Sequence, residues 1–394
     1  MNKSIPFLDL KAIDAPYIDE IKDAIYRVID NGRYIGGPVV EQFEQNLAQI
    51  TNAEYAVGVS NGLDALRLSL RAAIELGYIH SGDGIIVPAN TYIASILAVT
   101  DNNLQPILVE PDIHTYNLDS NLIDDAINDA DTQGIKVTAI MPVHLYGRAC
   151  WDQTLVEAIN RHHLFVIEDN AQAIGAKTDT PGIFGTTATG SLGHIGAFSF
   201  YPTKNIGAIG DAGAIVTHDR ELAQMVRTLA NYGSDRRYHN IVCGYNCRLD
   251  TIQAAILNVK LQYLDRITTQ RRHNADTLTR ILRNCSTIIC PETPQYAPSH
   301  VWHQYIIRVK ADHSDNATLG QQRDRVRQQL LEAGVSTDIH YATPPHRQPC
   351  YANSIQHKPL PITEMLSDSI ISLPVAATLS EDQIRHYIAD TINK

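Results

Sequence analysis

Four short stretches of this chain combine residue types that can act on a bound ligand. In GAFSFYPTKN, residues 196–205, Lys204 follows an apolar strand and a proline-fixed turn. A lysine held there is partly desolvated, which lowers its pKa and frees its lone pair for Schiff-base formation. Ser199 stands five residues earlier and can offer its hydroxyl to an anion in the same loop. In VIEDNAQ, residues 166–172, a buried strand ends in Glu168 and Asp169. Ligands of open α/β sheets sit at the carboxyl ends of strands, so an acid there is a functional candidate, although Asp169 or Asn170 would serve equally as a helix N-cap. In SNGLDA, residues 60–65, a glycine at a strand–helix junction lets the backbone approach an anion at the free N–H groups of the first turn. A plain turn with Asn61 or Gly62 in an unusual φ accounts for the same residues, and Asp64 suits an anion only if its carboxylate faces away. In PANTYIAS, residues 88–95, Tyr92 can lie flat against a planar ring or simply fill the core.

Each stretch alone is weak. Together they form a set: an anion turn, a flat aromatic, a strand-end acid and a loop lysine, each at a strand–helix junction. That set is what pyridoxal phosphate requires, with the lysine for its aldehyde, the acid for its pyridine nitrogen and N–H donors for its phosphate.

The elements that must position these residues follow from periodicity. Short β-branched runs at 55–59, 85–88, 106–110, 137–141, 164–168, 196–200 and 213–217 alternate with amphipathic stretches such as 63–76, where Leu63, Leu66, Leu70 and Ala73 recur at helical spacing. Strands alternating with helices predict βαβ units and a mostly parallel sheet covered on both faces. After residue 217, Ile252, Ala255, Ile256, Val259, Leu264 and Ile267 predict one long helix. Beyond it lie a strand-like 304–310, a helix-like 324–333, a proline-rich 342–361 and a helix capped by Ser380. We expect a large α/β domain over 1–259, including the N-terminal segment, and a smaller α+β domain over 260–394.

Composition bounds the rest. With 44% hydrophobic and 19% charged residues, the 394-residue chain is globular rather than disordered. A formal charge of −11 argues against non-specific binding to nucleic acid or to an anionic membrane. No apolar run reaches the ~20 residues that span a bilayer, and the N-terminus has no signal-peptide pattern, so a soluble, cytoplasmic protein is expected. The six cysteines, Cys150, Cys243, Cys247, Cys285, Cys290 and Cys350, include no CxxC pair, and the 16 histidines include no HExxH. Reduced thiols and no metal site are the expectation.

The chain resembles the fold-type-I, pyridoxal-phosphate-dependent sugar aminotransferases of the DegT/DnrJ/EryC1/StrS family from about Ile5 to its end. The resemblance rests on GRYIGGPVVEQFE at 32–44, VGVSNGLDALRLSL at 57–70, VPANTYIAS at 87–95, PVHLYGR at 142–148, IEDNAQAIGA at 167–176, GAFSFYPTKNIGAIGDAGAIVT at 196–217 and GYNCRLDTIQAA at 244–255. It implies an aspartate-aminotransferase-like fold. It also implies Lys204 as the lysine bonded to the cofactor, Asp169 on the ring nitrogen, Gln172 near the phenolic oxygen and Tyr92 on the ring face. Gly62 and Leu63 backbone groups and the Ser199 hydroxyl would hold the phosphate. Asn246 would reach the phosphate from a neighbouring subunit, which implies a homodimer with shared sites.

The implied reaction is a ping-pong transfer of an amino group from glutamate to a nucleotide-linked keto-deoxysugar, with Lys204 moving the α-proton as base and then acid. NGLDAL, VPANTYIAS and CRLD look most like members acting at C-3 of dTDP-linked 3-keto-6-deoxyhexoses, in deoxyamino-sugar and glycan or lipopolysaccharide biosynthesis. Members acting at C-4 are the alternative, and a non-catalytic regulatory homologue is the rival from another class. Lys204 itself argues against the family's dehydratases, in which histidine replaces it. A pyrophosphate substrate needs cations, and Arg33, Arg236, Arg237 and Arg248 are the candidates, each equally readable as a surface or interface ion pair. Two departures from the family pattern stand out. Ile174 stands where many members carry histidine, and 177–191 is longer than the usual hairpin, read here as decoration rather than a cleft cap.

Overall fold

A computed structural model describes residues 4–314, 316–352, 354–376 and 380–392. Seven strands build the central sheet: β1 (Tyr55–Val59), β2 (Gly84–Pro88), β3 (Gln105–Val109), β4 (Val137–Ile140), β5 (Phe165–Asp169), β6 (Ile195–Ser199) and β7 (Gly213–Thr217). Their spatial order is β1-β7-β6-β5-β4-β2-β3. The pairs from β3 through to β6 are parallel, while β7 runs antiparallel to both β6 and β1. Every residue of β2, β5 and β7 is buried, as expected of strands covered on both faces. All seven expected strands are present, two as expected and the others with ends shifted by one residue, so that β5 includes Asp169.

Helix Gly62–Glu75 packs one face of the sheet, burying Ala65, Leu66, Leu68, Leu70 and Ala73. The long helix expected through 252–267 is two helices, Thr251–Leu261 and Leu264–Leu282, separated by Gln262 and Tyr263. A periodic apolar pattern carries across such a break because both helices face the same core, where Leu257, Leu261, Leu264 and Ile267 meet. The second helix runs on into another apolar cluster, where Ala275, Leu278 and Leu282 pack on Tyr305, Ile307, Ile371 and Leu373.

A two-stranded hairpin, β8 (Ser234–Arg236) and β9 (His239–Asn240), projects from the large sheet's side of the chain. A second sheet of three antiparallel strands follows, β10 (Ile288–Ile289), β11 (Tyr305–Val309) and β12 (Ile370–Leu373). Helix Leu319–Glu332 starts five residues before the expected 324, because Thr318 and Gln321 form a reciprocal capping box. Ser380 caps the C-terminal helical turns through the backbone N–H of Gln383. Near the N-terminus, Ile5 bridges Val335, whereas Tyr17 and Ile21 pack on Ile256 and Val259, so the first residues touch both cores.

The 177–191 segment is neither loose decoration nor a lid. Thr189 donates to the carbonyl of Ala173 at 2.9 Å, and the N–H of Gly190 donates to buried Glu168 at 2.7 Å. Among the described residues, none from this segment lines the cavity at the strand ends.

Candidate active site

The carboxyl ends of β5 and β6 and the start of helix Gly62–Glu75 converge on a cavity of about 430 Å³. Its walls include Gly62, Leu63, Tyr92, Asp169, Gln172, Ser199 and Lys204, so seven of the expected residues, far apart in sequence, share one site. A wider groove of about 740 Å³ runs along edge strand β3, but its lysine, Lys358, is paired to Asp129 and it lacks the lysine–acid constellation. The chemistry belongs to the smaller cavity.

Lys204 sits on a tight turn closed by its backbone N–H to the carbonyl of Tyr201 at 2.8 Å. Burial pulls its amine down to about 8, against the opposing pull of the Asp169 carboxylate. Asp169, itself buried, has both oxygens engaged. Oδ1 accepts from the N–H of Ala171 at 3.1 Å, and Oδ2 accepts from the Ser95 hydroxyl at 2.8 Å. No helix starts after it among the described residues, which removes the N-cap reading.

The 60–65 turn has the geometry to receive an anion. Asn61 caps the helix by accepting from the N–H of Asp64 at 2.8 Å, and the Asp64 carboxylate turns back onto Ser60 and Asn61 and pairs with Arg67. It does not line the cavity, so the first-turn N–H groups face it without opposition from the Asp64 carboxylate. A Cβ added to Gly62 would stand 2.6 Å from Cβ of Ser199, so glycine is what lets the Ser199 hydroxyl and this turn close on one small volume. A helix N-terminus, a hydroxyl, a depressed amine and a buried carboxylate in one cavity match the anion, aldehyde and ring nitrogen of pyridoxal phosphate.

Tyr92 is 53% exposed rather than core, and its ring centroid lies 5.1 Å from that of Tyr341. Gln172 accepts from the N–H of Tyr146 at 2.5 Å and donates to the Tyr341 hydroxyl at 3.0 Å, which fixes its amide orientation.

Among the cavity residues that escaped the sequence reading are His303, Gln304, His340 and Tyr341. Burial drives His303 well below the usual histidine range and Lys204 pushes the same way, so it is neutral and pairs with Asn205 at 3.1 Å. Burial also lowers His340, whose Nδ1 meets the Ser372 hydroxyl at 2.7 Å. These residues enter through β11 and the Asp338–Ser372 bridge to β12, long-range pairings without a local motif. The VWHQY run at 301–305 was the one available signal.

The remaining expected residues lie outside this chain's own cavity. Asn246 is exposed and bridged to Asn231, and Arg248 donates to Oδ1 of Asn231 at 3.0 Å. Arg33 is exposed, with its guanidinium against Gly37, and Arg236 and Arg237 lie on the exposed hairpin. None of them is among the residues that line this cavity. Among the described residues no helix is long and apolar enough to cross a membrane, and no cluster of three or more His, Cys, Asp or Glu could hold a metal.

The sequence profile of the DegT/DnrJ/EryC1/StrS aminotransferase family matches residues 17–392. The chain is 42% identical over 390 residues to dTDP-3-amino-3,6-dideoxy-alpha-D-galactopyranose transaminase of Aneurinibacillus thermoaerophilus, covering 99% of both. The crystal structure of S. venezuelae DesV in complex with a ketimine intermediate superposes with a TM-score of 0.87 at 38% identity, covering 99% of this chain and 98% of that one. NtdA from Bacillus subtilis with bound cofactor PMP superposes at 0.85 with 30% identity, covering 99% and 84%.

Proposed function

This chain belongs to the DegT/DnrJ/EryC1/StrS aminotransferase family and uses pyridoxal 5'-phosphate, and on that premise we propose that it moves an amino group from glutamate to the 3-keto carbon of a dTDP-linked 6-deoxyhexulose. The observation that carries the reaction class is the Lys204 amine, lowered to about 8, in the same cavity as buried Asp169 and the Gly62–Ser199 cradle. The 3-amino-3,6-dideoxy sugar named for the Aneurinibacillus relative supports the substrate.

When bound, pyridoxal phosphate supplies an electron sink that lets the donor's α-carbon release a proton. The protein's part is to hold and time the charges. The first-turn N–H groups of Gly62 and Leu63, with the Ser199 hydroxyl, bind the phosphate. Asp169 would meet the ring nitrogen and keep a proton there, because a carboxylate beside that atom stabilises its protonated form. Gln172, which donates to the Tyr341 hydroxyl, would meet the opposite edge, and Tyr92, whose ring lies against that of Tyr341, would cover a face. Lys204, its amine lowered to about 8, would take the donor's α-proton as base and give it back as acid to the carbon that the cofactor contributes, across the nitrogen. Neutral His303 next to it adds no repulsive charge to the amine.

The active unit is a homodimer in which Asn246, Arg248 and Arg33 serve the partner's site, in support of which all three flank but do not enter their own. We place it in the cytoplasm, where its six free cysteines remain reduced, in a deoxyamino-sugar pathway feeding glycan or lipopolysaccharide synthesis. Incubation with glutamate and a panel of 3-keto and 4-keto dTDP-6-deoxyhexoses, with the product nitrogen located by NMR, tests the reading. Amination at C-3 is expected. Amination at C-4 would move the assignment to the other branch of the family, and a purified protein that is colourless and inert to glutamate would end it.

A further inference from the structure

Behind Asp169 lies a chain of hydroxyls that the reaction as described does not use. The Ser95 hydroxyl donates to Oδ2 of Asp169 at 2.8 Å, and Oγ1 of Thr91 lies 2.8 Å from the same Ser95 oxygen. All three side chains are buried, Ser95 completely. The protons can be counted. Ser95 has one hydroxyl proton and gives it to the carboxylate, so the Thr91 hydroxyl must be the donor to Ser95. The relay therefore runs one way, from Thr91 to Ser95 to Asp169. With the Ala171 N–H on Oδ1, both oxygens of the ionised carboxylate accept from a donor. Ser95 also sits in the first turn of helix Ile93–Asp101, so that helix's N-terminus points its partial positive charge at the same carboxylate.

We propose that Ser95, backed by Thr91, is a positioning residue that holds Asp169 as an oriented anion and so sets how fully the proton resides on the cofactor's ring nitrogen. This rests on the assignment of Asp169 to that nitrogen. Removing the hydroxyl takes from Oδ2 the donor that stabilises its charge, so it becomes the stronger base and draws the shared proton from the ring.

The test uses the holoenzyme reconstituted with ring-¹⁵N pyridoxal phosphate and reads the nitrogen's chemical shift. In Ser95→Ala the shift moves toward the unprotonated value and kcat falls roughly tenfold, the loss expected for one hydrogen bond to a charged group, while KM for glutamate holds. Ser95→Thr, which keeps the hydroxyl, retains the wild-type shift, and the near-isosteric Thr91→Val moves it in the same direction as Ser95→Ala but less. A wild-type shift in Ser95→Ala would overturn the proposal, as would a Ser95→Thr variant displaced as far as Ser95→Ala. Asp169→Asn separates the two levels. If it too leaves the shift unmoved, the assignment of Asp169 fails. If it moves the shift and Ser95→Ala does not, only the relay fails.

Discussion

Lys204 illustrates how function is stored in one side chain at the expense of stability. An amine whose folded value is about 8 against an ordinary 10.5 is disfavoured by the fold whenever it is charged. The sign follows from proton counting. Between those two values the unfolded chain holds the lysine proton and the folded chain does not, so stability rises with pH across that window and the full penalty applies below about 8. The shift corresponds to a cost on the order of 3 kcal/mol near neutrality. Lys204→Met in the cofactor-free protein should therefore be more stable than the parent at pH 7, by up to about 3 kcal/mol. The gap should close as pH is raised through 8 toward 10.5. Urea unfolding at a series of pH values measures it. A gap independent of pH would mean that the gain comes from packing and not from the relieved charge.

At the scale of elements, the strand end that carries Asp169 is held by its neighbour. Glu168 is fully buried and accepts from Nε2 of His144 at 2.8 Å, Gly190 N–H at 2.7 Å and Gly193 N–H at 2.8 Å. His144 Nδ1 accepts from the N–H of Cys150, so its Nε2 carries the proton it gives to Glu168. The backbone N–H of His144 then donates to the carbonyl of Asp169 at 3.1 Å. Glu168→Ala strands three buried donors and is expected to cost at least about 3 kcal/mol, read as a lowered unfolding midpoint. Asp179→Asn, on the exposed part of the same segment, should stay within about 0.5 kcal/mol of the parent. Equal effects from the two would show that the segment is not anchored through Glu168. The same elements explain what the sequence made legible. Lys204, Asp169, Gly62 and Ser199 stand at strand–helix junctions, where periodicity marks the strand and composition marks the turn, so their convergence could be read locally. His340 and Tyr341 reach the cavity only because Asp338 pairs with Ser372, 34 residues later, and no spacing rule encodes that partnership. The break at Gln262 and Tyr263 was hidden for the opposite reason, since the apolar stripe continues across it.

At the scale of the whole molecule, the −11 charge and the cation need of a pyrophosphate substrate conflict unless arginines are brought to the site. The segment carrying Asn246 and Arg248 runs beside the phosphate turn, for the N–H of Ser60 donates to the carbonyl of Cys247 at 3.1 Å and Val59 bridges Arg248. Several large apolar side chains of the neighbouring segments are exposed. Tyr238 is 87% exposed, Tyr34 56%, and Tyr232, Ile241 and Ile35 are exposed with them. In the proposed homodimer these side chains would be covered, and each chain would give its residues to the other's cavity. Tyr238→Asp should then shift the protein toward monomer in light scattering and weaken cofactor retention together. A mixing experiment decides the exchange itself. Lys204→Ala and Asn246→Asp homodimers are each expected to be inactive. Co-expressed, they form heterodimers in which one site takes intact Lys204 from one chain and intact Asn246 from the other, so activity should return. If Asn246 serves the cavity of its own chain, both heterodimer sites stay broken and no activity returns, which would end the shared-site reading while leaving the chemistry of Lys204 and Asp169 untouched.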